Sequence, residues 1–445
     1  MITLRTPGKN PRWGVLSRPA ARVSVETIQI LAIESQRGEF WPRLRGLEYN
    51  VGWDTGWDFV PFISSFLTPT ISTLTLILPH ERNRLLQPTL SLLTHKCRQL
   101  QSLTMDVDAS DPLPSVEMGH LISASRGTLR RIEIRSFTPP DVFPVIFNLQ
   151  QLRELGLQEP PLPVQIPPNI LPRLQVITLK GNHGSNLAEF LRCLPMPGLS
   201  TVDITRGESI QLPQLLDSLH GATATITVLS LSPITNLDHF SITLLRTFTN
   251  LTSLRIHCVC NDPKLREPCS FQLTDGKILE LGDALPHIRT LHFGDPDCSG
   301  ARSTTFKSLI HLSRTCRNME SLTIRVDFTS IVGGSNRQNY GNTSKGIEAR
   351  PQMATSRLST LVIGNSPLPD IPRCEWVVAL ALASIFPSII FLSSSCTGGM
   401  QNRWGEVWDD VLVCQKISRI ARAGKRHTTD GLVIPPLTRS LQTSP

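Results

Sequence analysis

Along most of the chain, apolar residues recur in one arrangement: an apolar position, two polar ones, an apolar one, a polar one and a third apolar one. Residues 100–105, with the sequence LQSLTM, show this pattern. It returns with starts at residues 44, 71, 129, 152, 174, 199, 226, 251, 288, 319 and 358. The starts are 22 to 29 residues apart up to residue 251 and 31 to 39 residues apart beyond it. This phrase and this period are typical of the strand segment of leucine-rich repeats.

Between these strands the apolar spacing becomes helical. Leu187, Phe190, Leu191 and Leu194 precede the copy at residue 199 with the spacing of one helix face. Each unit is therefore predicted to be a strand, a loop, a helix and a segment that returns to the next strand. A unit of this kind cannot bury its apolar face alone, so its neighbours must stack on it. The expected fold class is α/β: a leucine-rich-repeat solenoid, or horseshoe, with a parallel sheet on the concave face and helices on the convex face.

The repeats set the predicted domain organisation. Residues 1–22 are expected to be an irregular N-terminal segment, and residues 23–422 to form the solenoid. A polar, glycine-rich stretch near 329–356 is predicted to be a disordered insertion. Residues 389–392 are predicted to form a last strand and 404–420 a capping helix, followed by a disordered tail over 423–445.

Polar side chains alternate with the core residues and are expected to line the concave face. Their composition is mixed in charge and rich in Ser and Thr, as is also usual for a solvated sheet face. Geometry alone selects the candidate protein-binding residues. They are Arg131, Glu133, Arg135, Arg255, His257, His292 and Arg325.

The charge balance changes this picture little. The chain has 44 Lys and Arg against 36 Asp and Glu, a net charge of +8, which permits anionic partners. Much of the excess lies near the two ends, and no basic patch is interleaved with aromatic residues, as a nucleic-acid surface requires. We therefore predict no nucleic-acid partner. The basic run over 416–426 is interpreted as a solvated helix face, with a nuclear-localisation signal as the alternative.

No segment of the sequence predicts a membrane anchor or a secretory signal. The longest apolar run, residues 377–392, is shorter than a bilayer span and is interrupted by polar residues and a proline. We therefore predict no membrane partner and a cytoplasmic or nuclear location.

Motifs that carry catalysis were not found. The chain lacks the glycine-rich phosphate-binding loops, the nucleophile elbow and the zinc-protease helix motif. Cys258 and Cys260 closely follow His257 and form the only cysteine cluster together with Cys269 and Cys298, but the set lacks the C-x-x-C pairs of a zinc site, which leaves a metal site as the minor alternative. We therefore predict that the protein is not an enzyme and needs no metal or cofactor.

Five segments of the chain together resemble the fungal F-box proteins with leucine-rich repeats. Residues 40–49 (FWPRLRGLEY) and 66–76 (FLTPTISTLTL) look like the first two strand phrases of that family. Residues 94–103 (THKCRQLQSL) resemble its next phrase, which begins with a cysteine. Residues 379–387 (ALALASIFP) and 404–407 (WGEV) resemble its C-terminal pair. The order of these phrases carries the resemblance.

The resemblance implies the role of a substrate receptor in a cullin-type ubiquitin ligase. In that family an N-terminal F-box docks on a Skp adaptor, which joins the cullin, and the repeats hold the target protein. An F-box opens with a Leu-Pro phrase followed by apolar helices, and residues 1–40 contain neither. The box is therefore expected to lie upstream of Met1, to have been lost, or to be supplied by another chain. The alternative is a leucine-rich-repeat interaction protein, or a remnant paralogue, without a ligase link.

Overall fold

The structure, a computed structural model, describes most of the repeat region. The described residues are 2–5, 30, 33, 44–50, 63–64, 66–78, 86–107, 115–158, 160, 171–181, 184–194, 196–205, 212–232, 237–257, 273–294, 304–331, 356–370, 374–394 and 399–425.

Sixteen strands are present among these residues. They are β1 (Ile2–Arg5), β2 (Gly46–Asn50), β3 (Thr73–Leu78), β4 (Ser102–Val107), β5 (Arg131–Phe137), β6 (Glu154–Gln158), β7 (Val176–Lys180), β8 (Thr201–Thr205), β9 (Val228–Leu231), β10 (Ser253–Ile256), β11 (Thr290–Phe293), β12 (Thr304–Thr305), β13 (Ser321–Thr323), β14 (Val326–Asp327), β15 (Thr360–Val362) and β16 (Phe391–Ser393). Fourteen of them form one sheet in chain order, and β12 and β14 form a small second sheet.

Thirteen strands of the large sheet, from β2 to β16, run parallel to one another. Their register repeats from strand to strand. Leu74 of β3 pairs with Leu103 of β4, which pairs with Ile132 of β5 and then with Leu155 of β6. These side chains are almost fully buried. The apolar positions of successive repeats therefore stack into continuous rows beneath the sheet.

Backbone carbonyls link neighbouring repeats at the N-terminal ends of the strands. The carbonyl of Ser200 accepts hydrogen bonds from two amides of the next repeat, Thr227 N at 2.8 Å and Val228 N at 3.0 Å. The carbonyl of Thr227 accepts in turn from Thr252 N and Ser253 N. The same paired donation recurs at each parallel step from β2 to β16. Each repeat is thus fixed to its neighbour at one residue, which sets the register of the whole strand.

Hydroxyl side chains at the same positions reinforce this ladder. Thr227 Oγ1 donates to the carbonyl of Ser200 at 3.2 Å, and Thr252 Oγ1 to that of Thr227 at 3.0 Å. Ser72, Ser200 and Ser359 make the equivalent bond to the carbonyl of the preceding repeat. These Ser and Thr side chains, at the N-terminal ends of the strands, therefore help to hold neighbouring repeats together.

Ten α-helices accompany the strands in the described part of the chain. They are α1 (Leu86–Lys96), α2 (Ser115–Ala124), α3 (Phe143–Phe147), α4 (Gly184–Cys193), α5 (Leu212–Ser218), α6 (His239–Leu245), α7 (Asp275–Ala284), α8 (Phe306–Thr315), α9 (Cys374–Ile385) and α10 (Gly399–Lys425). Their buried faces complete one core with the inward side of the sheet.

A carboxylate joins two neighbouring helices of this layer. Asp275, at the start of α7, accepts hydrogen bonds from the backbone N of Thr305 at 2.7 Å, from its hydroxyl at 2.6 Å and from the Ser308 hydroxyl at 2.6 Å. Burial alone would raise the pKa of Asp275, but the hydrogen bonds from Ser308 and Thr305 outweigh it and hold the pKa below its usual value. Asp275 therefore ties α7 to the N-terminus of α8.

The last helix closes the C-terminal end of the core. Trp404 of α10 is buried, and its Nε1 donates to the carbonyl of Ser366 at 3.0 Å. Gln415 is also buried, and its Nε2 donates to the carbonyl of Ile389 at 3.0 Å. These bonds satisfy two backbone carbonyls at the C-terminal end of the described stack.

The predicted fold class is confirmed, and each of the twelve predicted repeat copies has a strand in the sheet. The last strand, predicted over 389–392, is β16. Residues 404–420, predicted as a capping helix, lie within α10, which spans Gly399–Lys425 and extends past residue 423, where the tail is predicted to begin. Residues 426–445 lie outside the described residues.

Two other predicted boundaries are only partly covered by the described residues. Within the segment 1–22, which we expected to be irregular, β1 pairs antiparallel with β2 and satisfies the backbone groups of β2 that face away from β3. The rest of the segment lies outside the described residues. Within the insertion expected at 329–356, Thr329–Ile331 form a 3₁₀ turn and Ser356 is buried. Residues 332–355 also lie outside the described residues. Among the described helices, none is long and apolar enough to cross a bilayer.

The carbonyl ladder gives a direct test of the fold. We expect Thr227→Pro to lower the free energy of unfolding by about 3 kcal/mol, because it removes a donor to Ser200 and adds a ring at a close inter-repeat contact. Thr227→Val keeps the amide and loses only the hydroxyl, so its expected loss is under about 1 kcal/mol. Urea unfolding of both variants measures the difference, and equal stability of the two would contradict the role given to the amide.

Candidate protein-binding surface

The polar positions of the strands form the side of the sheet that faces away from the helices. In β7 and β8 the side chains alternate between half-buried and buried, as expected for a sheet with one face on the core. Thr178 of β7 pairs with Asp203 of β8, and both are half-buried. The shared register continues this row across the sheet, so outward side chains from different repeats become neighbours.

Three of the predicted binding residues lie on one strand, β5, and form an ion-pair network. Glu133 accepts a hydrogen bond from Arg135 Nε at 2.7 Å and one from Arg131 Nη2 at 3.0 Å. Arg135 also lies 3.5 Å from Asp106 of β4, and Arg131 lies 3.3 Å from Glu154 of β6. The network therefore spans three strands and alternates in sign.

Glu133 is the central acceptor of this network. Its side chain is 14% exposed, while the two arginines are about 40% exposed (39% and 43%). Burial alone would raise the pKa of Glu133, but the hydrogen bonds from Arg135 and Arg131 outweigh it and lower the pKa. The hydrogen bond to Glu133 is also the main reason that the pKa of Arg135 is raised. Much of the charge of this group is therefore balanced within the protein.

A glycine makes room for the Glu133 side chain. Gly156 of β6 pairs with Glu133 in the register, where other repeats carry a side chain. A Cβ atom at Gly156 would lie 2.9 Å from Glu133 Cγ and 3.3 Å from its Cβ. Such contacts are closer than packed carbon atoms allow. The absence of a side chain at residue 156 is what lets Glu133 lie against the next strand.

The other four predicted residues gather at β10, β11 and the end of β13. His257 follows β10, and its ring lies 4.4 Å from that of His292 on β11, measured between centroids. His292 Nε2 lies 3.0 Å from the carbonyl of Gly294. Because a carbonyl only accepts, His292 must carry a proton on Nε2. The two histidines, from successive repeats, thus form one contact pair.

Two arginines flank this histidine pair. Arg255 of β10 is exposed and pairs in the register with His292. Arg325, just after β13, is half-buried and continues the outward alternation from Thr323, which pairs with His292 on its other side. We call Arg255, His257, His292 and Arg325 the cationic cluster.

The structure thus divides the seven predicted residues into two groups. The strands β5 and β10 are five steps apart in the sheet, which corresponds to about 24 Å at the usual strand spacing. Three residues of the β5 network were missing from the predicted site: Asp106, Glu154 and Gly156. All three occupy outward positions of adjacent repeats, so aligning the repeats position by position would have revealed them.

Of the five free cysteines in the described part of the chain, Cys193 is exposed and the other four are buried. Burial raises the pKa of the Cys97 thiol to about 12, so this thiol stays protonated at neutral pH. Burial likewise raises the pKa of Cys316 and Cys374. The described residues contain no group of three or more metal-binding side chains. The cysteines at 258, 260, 269 and 298 lie outside the described residues.

The β5 network predicts a pH-dependent stability. At pH 7 we expect Glu133→Gln to lower the free energy of unfolding by about 1–3 kcal/mol, because two half-buried arginines lose a charged acceptor. The pKa of Glu133 is lowered in the folded state, so its stabilisation is present above its usual value of 4.5 and is lost as the pH falls below it. The difference between the native protein and the variant should therefore shrink in acid.

The matched control is Glu154→Gln in the same network. Glu154 is 44% exposed, and its ion pair within the described residues is with Arg131 at 3.3 Å. An exposed pair of this kind contributes about 0.5 kcal/mol or less. Equal losses for the two variants, measured by chemical denaturation between pH 3 and pH 7, would show that Glu133 is not the centre of the network.

Comparisons with known proteins give only distant likenesses. No protein-family model and no curated protein matches the chain. An internalin from Listeria monocytogenes is similar in structure with a TM-score of 0.41 and 14% identity, over 84% of this chain and 96% of the internalin chain. A yeast complex of Rad7 and Elc1 has a TM-score of 0.36 and 12% identity, over 77% of this chain and 76% of the other. The repeat period and the strand register of the chain itself define its fold as a leucine-rich-repeat solenoid.

Proposed function

We propose that this protein is a non-catalytic recognition scaffold that binds a target protein on the outward face of its sheet. The single observation that supports this most is the continuous register of thirteen parallel strands, which places polar and charged side chains of many repeats on one surface. Solenoids present surfaces of this kind to extended partners.

The size of this surface suits a stable protein interface. Thirteen strands at the usual spacing extend for about 58 Å, and an outward strand face of five residues is about 14 Å long. The product is about 800 Å², which is what one partner contributes to an interface of standard size. A small-molecule site would instead need a deep pocket, and the charged residues of this surface lie on the open sheet.

We further propose that the scaffold serves as the substrate receptor of a cullin-type ubiquitin ligase, joined through a Skp adaptor. Support for this part comes from the strand phrases at residues 40–49, 66–76 and 94–103 and from the C-terminal pair at 379–387 and 404–407. Residues 44–49, 66–76 and 94–103 lie in the first repeats of the sheet, and the C-terminal pair lies in the second half of α9, in the two residues that follow it and in α10.

The ligase role predicts a stable complex with the adaptor. Tagged protein, expressed in its own cells from the natural transcript, should co-purify with a Skp adaptor and a cullin in comparable amounts. Blocking cullin activity should then raise the level of the bound target. If neither adaptor nor cullin is enriched over an unrelated repeat protein, the ligase role is wrong and the scaffold without a ligase link remains.

The scaffold role predicts that target binding depends on the outward face. We expect replacement of all seven candidate residues by Gln to reduce binding of the co-purified target at least tenfold, since charged contacts across an interface are lost. The matched control replaces exposed residues of the same types on helices and turns. They are Arg98, Arg126, Arg192, Arg314, Glu189, His95 and His220.

Folding of each variant is checked by circular dichroism and thermal unfolding. Because loss of Glu133 lowers stability, a second variant changes only the four residues of the cationic cluster and leaves the β5 network intact. Target binding that survives in a folded sevenfold variant would rule out the outward face as the binding surface.

A further inference from the structure

We propose that α10 binds α10 of a second copy of this chain, with the two helices antiparallel. The two solenoids then meet end to end, because α10 lies at the C-terminal end of the described stack. This inference goes beyond the proposed function and does not depend on it. It concerns a different surface from the outward face of the sheet.

The first argument is the position of α10 in the helix layer. In the middle of the stack, α7 packs against α6 on one side and against α8 on the other. α10 packs against α9, and no described helix follows it in the chain. The terminal unit of a solenoid needs a polar outer face to remain soluble. A polar outer face is therefore expected on α10.

The second half of α10 instead exposes large apolar side chains. They are Leu412 (44% exposed), Val413 (47%), Ile417 (49%) and Ile420 (63%). The buried residues of the same helix, including Trp404, Val407 and Val411, lie on its opposite side and belong to the core. Neighbouring exposed apolar residues of this kind commonly mark a protein-interaction surface.

Two opposite charges on the exposed side of α10 define the orientation of the partner. Asp409 and Lys416 are both exposed, and their spacing of seven residues places them on one side of the helix, about 10 Å apart. This distance is too long for an ion pair within the helix, and neither residue has an ion pair with the described residues.

The midpoint between Asp409 and Lys416 is also the midpoint between Leu412 and Val413. In an antiparallel pair centred there, Asp409 of each copy lies opposite Lys416 of the other, and the apolar residues meet in the middle. A two-fold interface makes every such contact twice. A parallel pair would place like charges opposite each other, which is unfavourable. The charge pattern therefore favours a second copy in the antiparallel orientation.

A glycine leaves space for an apolar side chain of the second copy. Gly405 is exposed, and a Cβ atom built on it would have no other atom within 4 Å. Gly405 and Ile420 are equally far from the midpoint between residues 412 and 413. Ile420 of one copy therefore lies opposite Gly405 of the other, where the missing side chain allows the two helices to approach closely.

The size of this contact predicts a reversible dimer. Residues 405–420 extend for about 24 Å along a helix that is about 10 Å wide, so each copy buries roughly a few hundred Å². Each partner contributes about 800 Å² to an interface of standard size. We therefore expect a dissociation constant in the micromolar range.

Analytical ultracentrifugation of the full chain tests the inference. We expect monomer to convert to dimer as the protein concentration rises from about 1 to about 100 µM, as for a weak interface. Asp409→Lys and Lys416→Asp, each alone, should weaken dimerisation at least tenfold, because each change places like charges opposite each other at two points. An equal mixture of these two variants should form a heterodimer with about the affinity of the native dimer, because every facing pair is again of opposite charge.

The matched controls reverse exposed charges on other helices. Arg314→Asp on α8 and Glu189→Lys on α4 should leave the monomer–dimer equilibrium unchanged. Circular dichroism and thermal unfolding check that all four variants are folded.

Disulfide cross-linking tests the orientation of the two helices. Gly405→Cys combined with Ile420→Cys should give a covalent dimer on mild oxidation, in excess of any formed by the native chain. Ile420→Cys alone should give no such excess, because the two copies of residue 420 lie about 22 Å apart in the antiparallel pair.

Four results would overturn the inference: a monomer at all concentrations, dimerisation that survives both charge reversals, a mixture that does not restore the dimer, or cross-linking by Ile420→Cys alone. The second result would place the interface on another surface, and the fourth would make the helices parallel. All of these measurements are made without the target protein, so their failure is distinct from failure of the proposed function.

Discussion

The structure depends on one repeated hydrogen-bond arrangement, in which a single carbonyl accepts two amides of the next repeat. The carbonyls of Ser200 and Thr227 show it at successive steps. A slip of one residue would turn every outward side chain of a strand toward the core. By fixing each repeat at one residue, the arrangement keeps the leucine rows buried and keeps the polar positions of all repeats on the same face. A binding surface assembled from many repeats is possible only under this constraint.

Hydrophobic burial and this ladder reinforce each other. Leu103 and its neighbours Leu74 and Ile132 are fully buried only because three repeats are stacked, so no single repeat is stable alone. The ends of the stack need other devices. At one end β1 pairs with β2 in the opposite direction, and at the other Trp404 of α10 donates a hydrogen bond to the carbonyl of Ser366.

Identical residue types have different tasks on the two parts of the outward face. Arg135 is held by Glu133, which occupies space left by Gly156, whereas Arg255 is exposed beside a pair of histidines. The difference comes from the neighbouring strands and not from the arginines themselves. The ion pairs of the first group therefore join the central repeats to one another.

The sequence by itself determined the repeat period, the strand positions, the parallel order and the identity of the outward residues, because the L-x-x-L-x-L spacing has only one way to bury its apolar side. It did not show which outward residues contact each other. Arg131, Glu133 and Arg135 looked like a charged binding group, and only the structure showed that Asp106 and Glu154 from adjacent strands complete them as an internal network. The contact of His257 with His292 was decided in the same way. Such contacts join residues more than twenty positions apart, and their distances are set by strand register and side-chain packing, which a local spacing pattern does not contain.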